Sequence, residues 1–399
     1  MRKSMVNPDA VSQQSQRKTE DVLTAVAREI RERLPVLRSS LPLNHAGISP
    51  QPRGDLVSEC LRLRSERTPG EVLERYAGTR SEVVRDYARF LSVAPEEIAV
   101  TRHTAEGVNI VAQGFPWKSG DVIVTVNTEY PSNVYPWWNL RDRGVEIVSV
   151  PEREGRVDPD EFSSALTDRT RLVAISHVEF SSGYRFDLQW LSALCREKGI
   201  FLFLDIAQSI GVCPVDLSLV DAAAWPTWKW LMGPLGMGGF FLARRRWKEI
   251  RPVFVGTDGM VRGKDYLDYR FEFLEGAERF EYSTGNLLGM LGTAEALRRF
   301  RRVFSVPSGM EKLFARVRGL AERIIGGMEA KGYRLFSSRR SGETSGILSF
   351  EGGKPAEVVR RLGESGIEVA FRAGRIRIAP HFYNTEEDVE RLLRELPAV

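Results

Sequence analysis

The chain is poor in the residues that bind metals and form disulfides. Its 399 residues include three cysteines and four histidines. Cys60, Cys195 and Cys213 have no metal-site spacing, and so few thiols in so long a chain fit a reducing compartment. His45, His103, His177 and His381 are isolated from one another and from cysteine, which argues against a zinc site. No apolar run approaches the ~20 residues needed to span a bilayer, so no membrane segment is expected. Met1-Arg2-Lys3 leads into no apolar stretch, so a signal peptide is not expected and the cytoplasm is the default location. One-sided charge is also missing. The net charge is +4, from 57 basic and 53 acidic side chains. The densest basic cluster, Arg244-Arg245-Arg246, follows an apolar run and reads as a solvated strand end. With no zinc, RNP or basic-zipper pattern beside it, nucleic acid is not an expected partner.

What is present is a long alternation of helix and strand patterns. Residues 1–18 are polar and read as a flexible N-terminus. A helical pattern follows over 19–34, with Val22, Leu23, Val26, Ile30 and Leu34 three or four residues apart. Four prolines (Pro35, Pro42, Pro50 and Pro52) make the next stretch irregular, and 19–60 reads as a segment packing with a small domain. Over 61–290 short apolar runs recur: 98–101, 122–126, 145–150, 172–175, 200–204, 222–225 and 239–243. Most are continuous and read as buried parallel strands, with helices such as 132–143 and 187–198 between them. This implies an α/β doubly wound, mostly parallel seven-stranded sheet domain, whose ligands bind beyond the carboxyl ends of the strands. Over 291–399 the pattern changes. A long helical segment spans 287–331, interrupted near Pro307-Ser308-Gly309. Short strands (346–350, 368–371, 375–378) and two helices (355–365, 385–396) follow, the last with Thr385 and Asp388 as an N-cap pair. These imply a smaller α+β domain.

Chemistry concentrates at three places. Phe201–Gln208 reads F-L-F-L-D-I-A-Q, so Asp205 closes a wholly apolar strand. A buried lone carboxylate is costly without a partner. A protonated pyridine nitrogen would be one; a structural salt bridge or helix cap is the alternative. Lys229 stands between Trp228 and Trp230, where desolvation would lower its pKa and make it a neutral nucleophile or base. Taken alone, a snorkelling lysine explains it as well. Thr101–Gly107 places hydroxyls and free N–H groups at a helix start, which suits a phosphate.

The order Thr104-Ala105, Asp205-x-x-Gln208, Lys229, then Arg377 with Tyr383-Asn384-Thr385, resembles the class V aminotransferase group of fold-type I pyridoxal-phosphate enzymes. That group includes cysteine desulfurases, isopenicillin-N epimerase and carbon–sulfur lyases. The resemblance runs from Asn44-His45-Ala46-Gly47 to the C-terminus. It implies pyridoxal 5'-phosphate as cofactor, a free amino acid as substrate and a homodimer. Lys229 would carry the cofactor as a Schiff base and move protons at the substrate's alpha carbon. Asp205 would pair with the pyridinium, and Gln208 would bond the ring's phenolic oxygen. Tyr130 stands where the family often has a stacking histidine. Thr104 and Ala105 would hold the phosphate, with Thr284 reaching the partner's. Arg377 would grip the substrate carboxylate, and His45 and His103 are candidate pocket residues.

Two departures narrow the reading. Where the family has Ser and His before its lysine, this chain has Pro226 and Trp228, leaving the Trp228 indole and the Thr227 hydroxyl as donors. Desulfurases also carry a sulfur-accepting cysteine shortly before the arginine, whereas here Glu368–Gly374 contains none. A desulfurase forming an enzyme persulfide is therefore not expected. Beta-elimination at a carbon–sulfur bond of an S-substituted cysteine is favoured, through a Schiff base and an alpha-carbanion. An aminotransferase or an epimerase is the alternative. A non-catalytic binding protein on the same fold is the third reading, and the retained Lys229, Asp205 and Arg377 argue against it.

Overall fold

The structure, a computed structural model, describes residues 22–399 apart from Tyr266. The expected flexible segment over 1–18 lies outside the described residues. A first helix, α1, covers 22–32. Next come α2 (Leu56–Glu66) and α3 (Pro69–Leu91). Thr68 opens α3 with a capping box, its hydroxyl accepting from the Glu71 N–H while Glu71 reaches back.

Seven strands form the main sheet: β1 (Ile98–Thr101), β2 (Val122–Val126), β3 (Glu146–Val150), β4 (Thr170–Ser176), β5 (Phe201–Asp205), β6 (Ala222–Pro226) and β7 (Gly238–Leu242). Their order is β1-β7-β6-β5-β4-β2-β3. Strand β7 runs antiparallel to both its neighbours, and the other pairings are parallel. Both faces are covered. In β5, Leu202 and Leu204 enter one core cluster while Phe201 and Phe203 enter the other, which is why the strand reads as an unbroken apolar run. Strand β3 is the exception to the expected burial, for it is an edge strand and only Val150 in it is buried.

Helix α4 (Thr104–Gly114) lies close on the sheet. A Cβ at Gly107 would stand 2.5 Å from that of Ala224, so glycine and the alanine run of β6 set this approach together. The helix expected over 132–143 is broken into three short turns at Pro131–Asn133, Tyr135–Trp138 and Arg141–Arg143. Pro136 cannot donate to a helical ladder, and Gly144 at φ +78° ends the stretch. The helix expected over 187–198 is present as α5 (Leu188–Glu197).

Two long helices, α6 (Leu287–Phe304) and α7 (Gly309–Ala330), lead into a four-stranded antiparallel sheet. Its strands are β8 (Arg334–Leu335), β9 (Leu348–Glu351), β10 (Ala370–Arg372) and β11 (Arg375–Ile378). Helices α8 (Pro355–Glu364) and α9 (Glu386–Glu395) accompany it. Leu41 and Pro42 pair with Ile367 and Glu368 in a separate two-stranded sheet, which brings the following residues, 44–48, over the end of the main sheet. Among the described residues no helix is long and apolar enough to cross a membrane.

Candidate active site

A cavity of about 440 Å³ opens beyond the carboxyl ends of β5 and β6. This is where a parallel α/β sheet forms its sites. Asp205 ends β5, 4% exposed, and its Oδ1 accepts the Ala207 N–H over 2.8 Å. Burial raises its pKa, while the charge on Lys229 opposes that rise. No protein donor reaches the other carboxylate oxygen among the described residues, so it is free for a cationic ring nitrogen.

Lys229 is presented by a tight loop after β6. The Thr227 N–H bonds the Met237 carbonyl, and the Gly233 N–H bonds the Thr227 carbonyl over 2.9 Å. A Cβ at Gly233 would come within 2.8 Å of the Thr227 Cβ, so only glycine closes this loop. The lysine's pKa is lowered to about 8, chiefly by burial, with Arg377 adding to the fall and Asp205 opposing it. Its Nζ stands 5.2 Å from the centroid of the Tyr130 ring.

Around these two groups the cavity wall includes Thr104, Ala105, His103, Tyr130, Gln208, Trp228 and Arg377. The His103 Nδ1 accepts the Glu106 N–H over 3.1 Å, capping α4 just before Thr104 and Ala105. Their N–H groups, at the first turn of an 11-residue helix, are therefore turned toward the cavity end of the helix dipole. Gln208 is tied at both ends. Its Nε2 donates to the Ala46 carbonyl over 2.9 Å, and its Oε1 accepts from the Trp230 indole over 2.8 Å. A primary amide has two N–H bonds, so one remains for a cofactor oxygen. The Thr227 hydroxyl lies 2.6 Å from the Pro234 carbonyl and 3.1 Å from that of Met237, so it serves the loop instead of the cavity. Of the two donors expected before the lysine, only the Trp228 indole remains available.

Two expected residues stand apart. His45 is fully buried behind the wall, its Nδ1 2.7 Å from the Ser49 hydroxyl and its Nε2 3.2 Å from that of Tyr383. Thr284 is exposed and lines no part of its own chain's cavity.

Arg377, on β11, is 1% exposed. Its Nη1 donates to the Phe180 carbonyl over 2.7 Å and its Nη2 to the Asn44 Oδ1 over 2.8 Å. Nε has no partner, and among the described residues no carboxylate lies within ion-pair distance of this guanidinium. Burial pushes its pKa down, although a guanidinium stays charged at neutral pH. A buried, charged and unpaired fork is an anion site. Asn44 and Arg372 also line the cavity; Asn44 opens the stretch that carries the resemblance but takes no role from it, and Arg372 had no local signal in the sequence.

Behind the cavity lies a buried carboxyl pair. Glu129 accepts from the Ser176 hydroxyl over 2.7 Å and from the Asn133 amide over 2.9 Å. Its pKa is pushed up to about 7 by burial. Burial and the nearby Glu129 and Glu152 push Glu179 well up too, and its Oε1 has no partner. Among the described residues, no cluster of three or more His, Cys, Asp or Glu is placed to hold a metal ion.

A family model described as aminotransferase class-V matches residues 68–392. The chain belongs to that family. It is therefore a class V enzyme of the pyridoxal-phosphate-dependent kind, and the free face of Asp205, the desolvated Lys229 and the N–H groups opening α4 fit that cofactor. A probable cysteine desulfurase of Methanothermobacter thermautotrophicus is 28% identical to it over 91% of this chain and 96% of the relative. One of Pyrococcus abyssi is 26% identical over 92% and 96%. Among solved structures, the apo cysteine desulfurase of Thermococcus onnurineus superposes with a TM-score of 0.81 at 24% identity, covering 92% of this chain and 96% of that one. The cystine C–S lyase C-DES, in complex with cysteine persulfide, has a TM-score of 0.82 at 23% identity, covering 90% and 98%. These two structures share the fold, which is thus fold-type I, with the mostly parallel seven-stranded sheet that the sequence implied.

Proposed function

We propose that the enzyme is a carbon–sulfur lyase that eliminates a thiol from an S-substituted cysteine. The observation that carries this reading is the absence of an acceptor thiol. Cys195 and Cys213 are buried in the core, and neither they nor Cys60 line the cavity. The place where a desulfurase carries its cysteine is here a two-residue turn, Ala373-Gly374, between β10 and β11. With no thiol to receive sulfur, the sulfur leaves on the substrate fragment. The Cα–H and Cβ–S bonds break, one water is consumed, and a thiol, pyruvate and ammonia result.

Bound pyridoxal phosphate supplies an electron sink for the alpha carbon. The chain's own groups do the rest. Lys229, neutral for a large part of its time near pH 8, would take the alpha proton and pass a proton to the departing thiolate. Asp205 would keep the ring nitrogen protonated, and Tyr130 would cover the ring face. Thr104, Ala105, His103 and Trp228 would hold the phosphate, and the free N–H of Gln208 would serve the phenolic oxygen. Arg377 binds the alpha-carboxylate. The enzyme works as a homodimer, in which Thr284 reaches the partner's cavity. Exposed apolar side chains nearby in the chain (Phe254, Tyr269 and Phe271) support a covered face there.

The test is a panel of S-substituted cysteines, followed for pyruvate and ammonia. Release of both supports the lyase. A keto acid retaining the sulfur substituent means a transaminase, an inverted alpha carbon means an epimerase, and either result overturns the lyase reading.

A further inference from the structure

Six ionisable side chains line the cavity: His103, Tyr130, Asp205, Lys229, Arg372 and Arg377. All of them except Arg372 have a part in the proposed reaction. This arginine ends β10, and Arg377 lies on the adjacent β11, in register Ala370↔Arg377 and Arg372↔Arg375. Side chains two apart on a strand share a face, as do directly opposed pairs. Arg372, Arg375 and Arg377 therefore project from one face of the hairpin. Arg375 is occupied, with its guanidinium 3.6 Å from the Phe336 ring centroid and its Nε donating to Ser349. Arg372 is not. Its Nη1 donates to the carbonyl of Phe371, and no carboxylate lies within ion-pair distance among the described residues.

An exposed arginine is ordinarily a solvated surface group, and exposure alone assigns it nothing. Three features separate Arg372 from that case. It lines the same cavity as the buried Arg377. It is held by a two-residue turn with positive φ at both positions, Ala373 at +47° and Gly374 at +80°, so its strand end has little freedom. And the one carboxylate of the cavity wall, Asp205, makes no ion pair with Arg372. The cavity thus offers two guanidinium groups, while a simple amino acid brings one carboxylate.

We propose that Arg372 is a specificity-determining residue that binds a second anionic group on the substrate's side chain. The substrate class is then a cysteine whose sulfur substituent carries a carboxylate or a comparable anion. This rests on the amino-acid reading above, with Arg377 holding the alpha-carboxylate and Arg372 the distal one.

The experiment compares two isosteric ligands, S-carboxyethylcysteine and S-carbamoylethylcysteine, which differ in one charge. Their dissociation constants are read from the visible spectrum of the holoenzyme, so turnover is not required. The acid should bind about tenfold tighter than the amide, as one solvent-accessible charge-assisted contact gives. In R372A the ratio should fall to near one, and R372K should recover part of it. Equal binding of the two ligands by the unaltered enzyme overturns the proposal. So does an R372A variant that loses pyridoxal-phosphate affinity while keeping the ratio, which would make Arg372 a cofactor ligand. A holoenzyme whose spectrum neither ligand perturbs, at any concentration, overturns the amino-acid reading itself and this proposal with it.

Discussion

Lys229 holds its amine 5.2 Å from the centroid of the Tyr130 ring, in a cavity whose wall has one carboxylate, Asp205, among the described residues. The aromatic face and the carboxylate favour the charged amine, and burial disfavours it. Burial is the largest effect, and the pKa falls to about 8. Only the neutral amine attacks a carbonyl. Capture of pyridoxal phosphate by the apoenzyme should therefore accelerate with rising pH with a midpoint near 8, well below the ordinary lysine value of 10.5. Stopped-flow absorbance gives the profile. Asp205 holds the lysine pKa up, so Asp205→Asn should move the midpoint lower. A rate still climbing beyond pH 10 in the unaltered enzyme would refute the desolvated-amine account.

The Glu129–Glu179 pair sets a second pH dependence, this time in stability. Both carboxyls have folded pKa values above the ordinary 4.5, that of Glu129 at about 7. A raised carboxyl binds protons more tightly folded than unfolded. Stability is thus fully present below pH 4.5 and declines as pH rises through the folded value. Glu179→Gln removes one buried charge, and its amide can donate to Glu129. The variant should match the unaltered enzyme near pH 4.5 and exceed it at pH 8 by about 1–3 kcal/mol, the cost of an unpaired buried charged group. Urea midpoints at the two pH values decide it, and an equal difference at both would show that the pair does not titrate in this window.

The sheet and its cavity were largely legible because β5 and β6 are continuous apolar runs that end in Asp205 and the Lys229 loop. Directions and edges were not. A five-residue apolar run such as Gly238–Leu242 carries no mark of its antiparallel course. The accessibility of Glu146–Val150, in which only Val150 is buried, follows from its edge position, with β2 its one neighbour in the main sheet. Residues meeting across long separations were the least visible. Asn44 supports Arg377 from 333 positions away, and Arg372 enters the cavity only because Ala373-Gly374 turns the chain back. His45 had the right neighbourhood in sequence, yet Ser49 and Tyr383 draw its ring behind the wall.

The Arg377 fork is oriented by the Phe180 carbonyl and Asn44, so its value lies in geometry as well as charge. Arg377→Lys keeps a cation but loses the planar fork. KM for the amino acid should rise roughly 100-fold, equivalent to about 2–3 kcal/mol for a buried charge-assisted contact, with a much smaller change in kcat. Asn44→Ala leaves the fork intact but loose, and should raise KM by a smaller factor. Steady-state kinetics across both variants test this. A fall in kcat with KM unchanged would remove Arg377 from ground-state binding.

The turn that carries Arg372 stores a measurable strain. Ala373 sits at φ +47°, where an L residue with a Cβ is disfavoured by about 1 kcal/mol, while Gly374 takes φ +80° freely. Asparagine tolerates that region, and Asn-Gly is the preferred pair for a two-residue hairpin of this kind. Ala373→Asn should therefore stabilise the protein by about 0.5–1 kcal/mol in urea unfolding and leave the preference for the acidic ligand in place. Inserting two glycines between Ala373 and Gly374 does the opposite. The hairpin can still pair at Ala370↔Arg377, so folding should survive, but Arg372 is no longer held toward the cavity. The preference for S-carboxyethylcysteine over its amide should then shrink, with Arg372 itself unchanged. If the longer turn folds and keeps the full preference, the short turn is not what positions Arg372.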